Sequence, residues 1–132
     1  MTPETLKILI VDDHMLMRNM VENYCKAMGL INLEQCSGGE QVLKAVAAKS
    51  FDLILMDWGM PDMSGLEVLK ALRANSKNDK TAIVMVTAES EDSRLIEALE
   101  AGATSYLVKP FSQEDFEKKI KNVLDWLKKQ RE

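Results

Sequence analysis

Short apolar runs alternate with amphipathic segments from one end of the chain to the other. Lys7 to Val11 (KILIV) is an apolar run rich in β-branched residues, and it ends at Asp12-Asp13-His14. Leu16, Met17, Met20, Val21, Tyr24 and Met28 follow at spacings of 3 and 4, the period of a helix. Gly29 stands where glycine commonly stops a helix. The cycle then repeats. Leu33 to Cys36 is a weak strand, Ser37-Gly38-Gly39 a turn, and Glu40 to Lys49 a helix with Val42, Leu43, Val46 and Ala47 on one face. Leu53 to Met56 is a strong strand ending at Asp57, and Pro61 and Gly65 break the loop before a helix over Gly65 to Ala74. Ala82 to Val86 is a strand ending at Thr87, followed by a helix over Glu91 to Ala101 that Gly102 closes. Ser105 to Val108 is the last strand, ending at Lys109-Pro110. Gln113 to about Lys129 is the last helix, with Phe116, Ile120, Val123, Leu124 and Leu127 facing inward.

Five strand–helix units in alternation predict a parallel sheet covered by helices on both faces, an α/β three-layer sandwich. Right-handed crossovers leave few topologies, and the flavodoxin-like strand order 2-1-3-4-5 is the common five-unit solution. The 132 residues suit one domain, and a chain of this length buries roughly two-thirds of its unfolded surface. No linker, low-complexity tract or internal repeat divides it.

Composition narrows the class. The formal net charge of −4 argues against a nucleic-acid binder, which shows a basic patch. No apolar run approaches the roughly 18 residues of a membrane span. The start, Met1 to Thr5, lacks the regions of a signal peptide, so a cytoplasmic location is expected. Cys25 and Cys36 have neither C-x-x-C nor zinc spacing and are expected as reduced, buried thiols. The nine methionines fall mostly at helix-core spacing and are expected to fill gaps in the core.

The chemistry-bearing residues sit where strands end. Asp12 and Asp13 follow the first strand, Asp57 the third, Thr87 the fourth and Lys109 the fifth. In a parallel sheet those ends share one edge, so residues about a hundred positions apart converge in one crevice. Three carboxylates that close repel unless cations intervene. Magnesium suits them, a hard ion that takes carboxylate oxygens, keeps waters and accepts a phosphate oxygen. Singly, each residue has a plainer reading: Asp12 or Asp13 as a cap on the first helix, Thr87 as a strand residue, Lys109 as a solvated side chain. The joint placement outweighs these readings.

The motifs Val11-Asp12-Asp13, Met56-Asp57-Trp58-Gly59-Met60-Pro61-Asp62-Met63-Ser64-Gly65, Val86-Thr87-Ala88-Glu89, Ala101-Gly102-Ala103 and Lys109-Pro110-Phe111 resemble the receiver domains of two-component response regulators. The similarity spans nearly the whole chain. Through Asp57-Trp58, Met85 to Glu89 and Tyr106 it is nearest to single-domain chemotaxis regulators of the CheY type. The resemblance implies one receiver domain over residues 1–132, with a core over about 6–129. It implies Asp57 as phosphoryl acceptor. Asp13, Asp57 and the Gly59 carbonyl would hold Mg2+, with Asp12 acting through water and Mn2+ as a substitute. Thr87 and Lys109 would bind phosphoryl oxygens, Pro110 would be a cis proline, and Tyr106 the aromatic switch.

The implied donor is a sensor histidine kinase or histidine phosphotransfer domain. The implied output is a partner protein on the helix 4–strand 5–helix 5 face of a cytoplasmic monomer, with no nucleic acid and no membrane insertion. The last helix ends a few residues before Glu132, so that output is expected from a partner unless the chain is an excised receiver. Gly59 and Glu89 stand where the phosphate's lifetime is tuned in this family. Gly59 departs from the Asn of well-known members, and Glu91-Asp92 from basic residues. Two other readings stay open: a phosphorelay intermediate, and a haloacid dehalogenase-type phosphatase. The latter needs a second Asp two residues after the nucleophile, where this chain has Gly59. His14 is expected to be an exposed first-turn residue rather than a phosphohistidine.

Overall fold

The computed structural model describes residues 2–88 and 92–131. The elements run β1 (Lys7–Val11), α1 (Met15–Ala27), β2 (Asn32–Cys36), α2 (Gly39–Ala48), β3 (Leu53–Asp57), α3 (Gly65–Arg73), β4 (Ala82–Thr87), α4 (Asp92–Glu100), β5 (Ser105–Val108) and α5 (Gln113–Gln130). The strands form one sheet in the order β2-β1-β3-β4-β5, as the alternation predicts. All four pairings are parallel, with Val11 opposite Met56, Asp57 opposite Val86 and Thr87 opposite Val108. That register brings the carboxyl ends of β1, β3, β4 and β5 to one edge.

Helices cover both faces of the sheet, so its central strands have no solvent side. Every residue of β3 and β4 is buried, which explains their continuous apolar runs. One layer packs Ile10, Leu55, Val84 and Leu107 against α1 and α5 residues such as Val21, Phe116 and Ile120. The opposite layer packs Val11, Met56, Met85 and Tyr106 against Val42, Val68 and Ala98 of α2, α3 and α4. Tyr24, Phe111 and Phe116 form an aromatic cluster in the first layer, with ring centroids 5.6–6.3 Å apart.

Three readings from periodicity need correction. Period-2 alternation along β5 would by itself put one of Tyr106 and Leu107 in a core layer and the other out of it. Both are buried, on opposite faces, because helices cover the two sides of β5. Leu16, in the first turn of α1, is 80% exposed. Ala47 is exposed, a further step around α2 from the buried stripe of Val42 and Val46. Cys25 and Cys36 are free and buried as expected, and burial, with Glu22 adding to it, pushes the Cys25 thiol up to about 12.

Candidate functional site

Asp57 ends β3 with its backbone paired into the sheet and its side chain at the carboxyl edge. Local packing fixes that position. The Gly65 amide donates to the Trp58 carbonyl at 2.7 Å, which draws the start of α3 under the strand end. A Cβ at Gly65 would lie 2.3 Å from the Asp57 carbonyl oxygen, so only glycine allows this approach. The intervening loop is held from the other side by Asp62, whose carboxylate accepts from the Gly39 and Glu40 amides at 3.0 Å each. Those bonds at the start of α2 hold the Asp62 carboxyl below its usual range.

Asp12 is 3% exposed and forms an Asx turn, its Oδ1 accepting from the His14 amide at 2.9 Å. It therefore shapes the entry to α1 while His14 occupies the cap position. Arg18 supports the turn by donating to the Asp12 carbonyl at 2.8 Å. Lys109 follows β5 and reaches back across the edge. Its Nζ donates to Asp12 Oδ2 at 2.8 Å and to Asp57 Oδ1 at 3.3 Å. The Lys109–Pro110 bond is cis, as expected.

The electrostatics of this triad are uneven. Burial pushes the Asp57 carboxyl above its ordinary range, the Asp12 charge adds to that, and Lys109 only partly opposes it. Burial pulls the Lys109 ammonium down, but its hydrogen bond to Asp12 and the two carboxylate charges outweigh burial and leave it raised. Negative charge at Asp57 is thus not fully compensated by Lys109. Oxygen donors that are short of positive charge are what a hard divalent cation takes, so the donor set fits magnesium.

Asp57, Trp58, Gly59, Thr87 and Lys109 line one cavity of about 420 Å³, together with His14 and Arg94. Thr87 is 3% exposed. A Cβ at Gly59 would meet nothing within 4 Å, so the mouth is open there. Tyr106, 8% exposed, lies in the core layer beside the site. Glu89 and Glu91 fall outside the described residues.

The structure thus joins Asp12, Asp57 and Lys109 directly and puts Thr87 and Gly59 on the same cavity. Asp13, the third expected carboxylate, is exposed next to the buried Asp12. Among the described residues, Asp12, Asp13 and His14 have donor atoms within 4.8 Å of one another, and Asp57 is not in that group. Two residues escaped the sequence reading. Arg94 stacks its guanidinium 4.7 Å from the centroid of Trp58, at the cavity rim. His14 was read as a plain first-turn residue. It is exposed, yet its ring nitrogen lies at the acidic pair, and its place directly after that pair was the available signal.

Residues 8–121 match the response regulator receiver domain family. The chemotaxis protein CheY of Pseudomonas aeruginosa is 36% identical over 120 residues, covering 91% of this chain and 97% of that protein. The chemotaxis protein CheY-3 of Vibrio cholerae is 35% identical over 124 residues, covering 94% and 95%. Among solved structures, the chemotaxis response regulator CheY4 of Vibrio cholerae superposes with a TM-score of 0.83 at 36% identity, covering 89% of this chain and 98% of that one. Shared sheet order, near end-to-end coverage and identity above a third lead to one conclusion: the chain belongs to the response regulator receiver domain family, whose members are signalling modules and not conventional enzymes.

Proposed function

We propose that this chain is the phosphoryl-accepting switch of a chemotaxis-type two-component pathway, with Asp57 as acceptor. The observation that carries the reading is the Lys109 ammonium bridging Asp12 and Asp57 at 2.8 and 3.3 Å on the wall of an open cavity. An Asp57 oxygen attacks the phosphorus of a phosphohistidine on a kinase or phosphotransfer domain. The P–N bond breaks, and the histidine nitrogen leaves with the electron pair. Lys109 offsets the repulsion between two anions and stabilises charge on the equatorial oxygens. Thr87, on the same cavity, offers a hydroxyl to a phosphoryl oxygen. Asp13, Asp57 and the Gly59 carbonyl, with Asp12 through water, would hold a magnesium ion that neutralises developing phosphoryl charge. Water later cleaves the acyl phosphate, and the open side at Gly59 admits it.

The output face would be α4, β5 and α5, with Tyr106 as its gate. Ile96 and Leu99 of α4 are 54% and 48% exposed there, which supports a partner-binding role. The chain would act as a single cytoplasmic receiver domain and as a monomer; among the described residues no helix is long and apolar enough to cross a membrane. The test is intact-mass spectrometry after acetyl phosphate and magnesium. One phosphate per chain on the native protein and none on Asp57→Asn is expected. Continuous turnover of small phosphate esters without a labelled chain would favour the phosphatase reading instead.

A further inference from the structure

We propose that His14 is a nitrogen ligand of the divalent-cation site and tilts it toward borderline ions such as Zn2+ and Ni2+. The inference rests on the receiver reading for the presence of a cation site. His14 Nδ1 lies 3.2 Å from Asp12 Oδ1 and 3.1 Å from Asp13 Oδ1. These are the edges of a coordination shell. Ligands 2.0–2.1 Å from an octahedral ion are roughly 3.0 Å apart at right angles. Tetrahedral zinc with bonds near 2.0–2.1 Å sets them roughly 3.4 Å apart. The two His14 separations lie between these values, and the donor atoms of all three residues lie within 4.8 Å of one another, so an ion would draw together a trio already gathered.

The neighbours support that placement. Lys109 engages Asp12 through Oδ2, while Oδ1 faces His14, accepting from its amide at 2.9 Å and meeting its ring Nδ1 at 3.2 Å. His14 also lines the cavity that holds Asp57, Thr87 and Lys109, so an ion held by it sits on the acceptor's own wall. Imidazole is a ligand for zinc and nickel, whereas magnesium keeps to carboxylate, carbonyl and water oxygens. A His14 ring nitrogen beside two carboxylates thus makes a mixed nitrogen–oxygen site out of an oxygen one. A transition ion seated there would compete with magnesium for Asp12 and Asp13.

The test uses the full chain stripped of metal, as native protein and as His14→Ala and His14→Gln. The ring is exposed and its side chain makes no cap bond, so both variants keep the fold, as melting curves verify. Both cysteines are buried, so no surface thiol competes for zinc. Titration calorimetry should show Zn2+ affinity falling at least about tenfold in each variant, and Mg2+ affinity falling far less. The chain has one histidine, so imidazole 15N spectra report on it alone. Zn2+ should displace the Nδ1 resonance and leave Nε2 nearly in place. Equal Zn2+ affinity in native and variant protein, or an unmoved Nδ1 resonance, overturns the proposal. If Mg2+ binds and acetyl phosphate still labels Asp57 in that case, only His14's role is lost. If neither ion binds the native chain, the cation site of the receiver reading falls with it.

Discussion

Lys109→Met removes the ammonium while keeping most of the stem, and so isolates the charge balance of the site. At an effective dielectric of 20, the contacts to Asp12 at 2.8 Å and Asp57 at 3.3 Å are worth about 6 and 5 kcal/mol of gross attraction. Against this stands the desolvation of the buried ions, several kcal/mol each. Deleting one partner of a buried pair nets about 3–5 kcal/mol, because the remaining charges stay buried without compensation. The side chains border an open cavity, so water relieves part of the cost and the lower figure, ~3 kcal/mol, is expected. For a chain of 132 residues that is a melting temperature lower by roughly 10 °C. Calorimetry in chelator should show this drop for Lys109→Met and a much smaller one for Lys109→Arg. Millimolar magnesium should restore part of the loss, since a cation then faces the same carboxylates. Lys109 is raised in the folded state, so its contribution is complete below about pH 10.4 and is lost only as pH rises through the folded value. A Lys109→Met protein that melts within about 2 °C of the native chain in chelator would refute the electrostatic reasoning.

Asp57→Asn should be more stable than the native protein at pH 7 without divalent ions, because the folded state penalises the Asp57 charge. A raised acid costs stability above its folded pKa, so the gap should narrow as pH falls through that value and vanish below about 3.9; a constant gap in pH-dependent melting would count against it. Gly65→Ala forces a Cβ to 2.3 Å from the Asp57 carbonyl and 3.0 Å from Trp58 Cα, both backbone atoms. It should lose about 2 kcal/mol or more in denaturant melts and phosphorylate slowly, since helix propensity returns at most about 1 kcal/mol. Tyr106→Ala should lose roughly 3 kcal/mol from the buried ring yet still take phosphate on Asp57, while losing the phosphate-dependent gain in partner affinity. Full retention of that gain in a pull-down with phosphorylated protein would remove Tyr106 from the switch.

Period and punctuation carried the architecture. The continuous apolar runs of β3 and β4 signal strands covered on both faces, and the 3–4 spacing in α1 and α5 marks their buried stripes. The strand-end acids were legible because a parallel sheet has one carboxyl edge, so topology alone makes Asp12, Asp57 and Lys109 neighbours. Contacts set by side-chain reach were not legible. Nothing in the α4 sequence says that Arg94 stacks on Trp58, or that Asp62 holds the start of α2. His14 reaches the carboxylates because an Asx turn folds the chain back at Asp12, a local geometry that carries no hydrophobic period. The exposure of Leu16 was hidden for the opposite reason. Its spacing is correct for a buried stripe, but the buried residues of α1 are Val21 and Cys25, further along the helix.

The central claim is that Asp57 itself carries the phosphoryl group. Borohydride converts an acyl phosphate, and not a free carboxylate, to an alcohol, so brief acetyl phosphate treatment followed by borohydride marks the acceptor permanently. Peptide sequencing by mass spectrometry then locates the mark. Homoserine at residue 57, with Asp12 and Asp13 unchanged, is the expected result. Homoserine at position 12 or 13, or phosphate retained on His14 with residue 57 intact, would contradict the account.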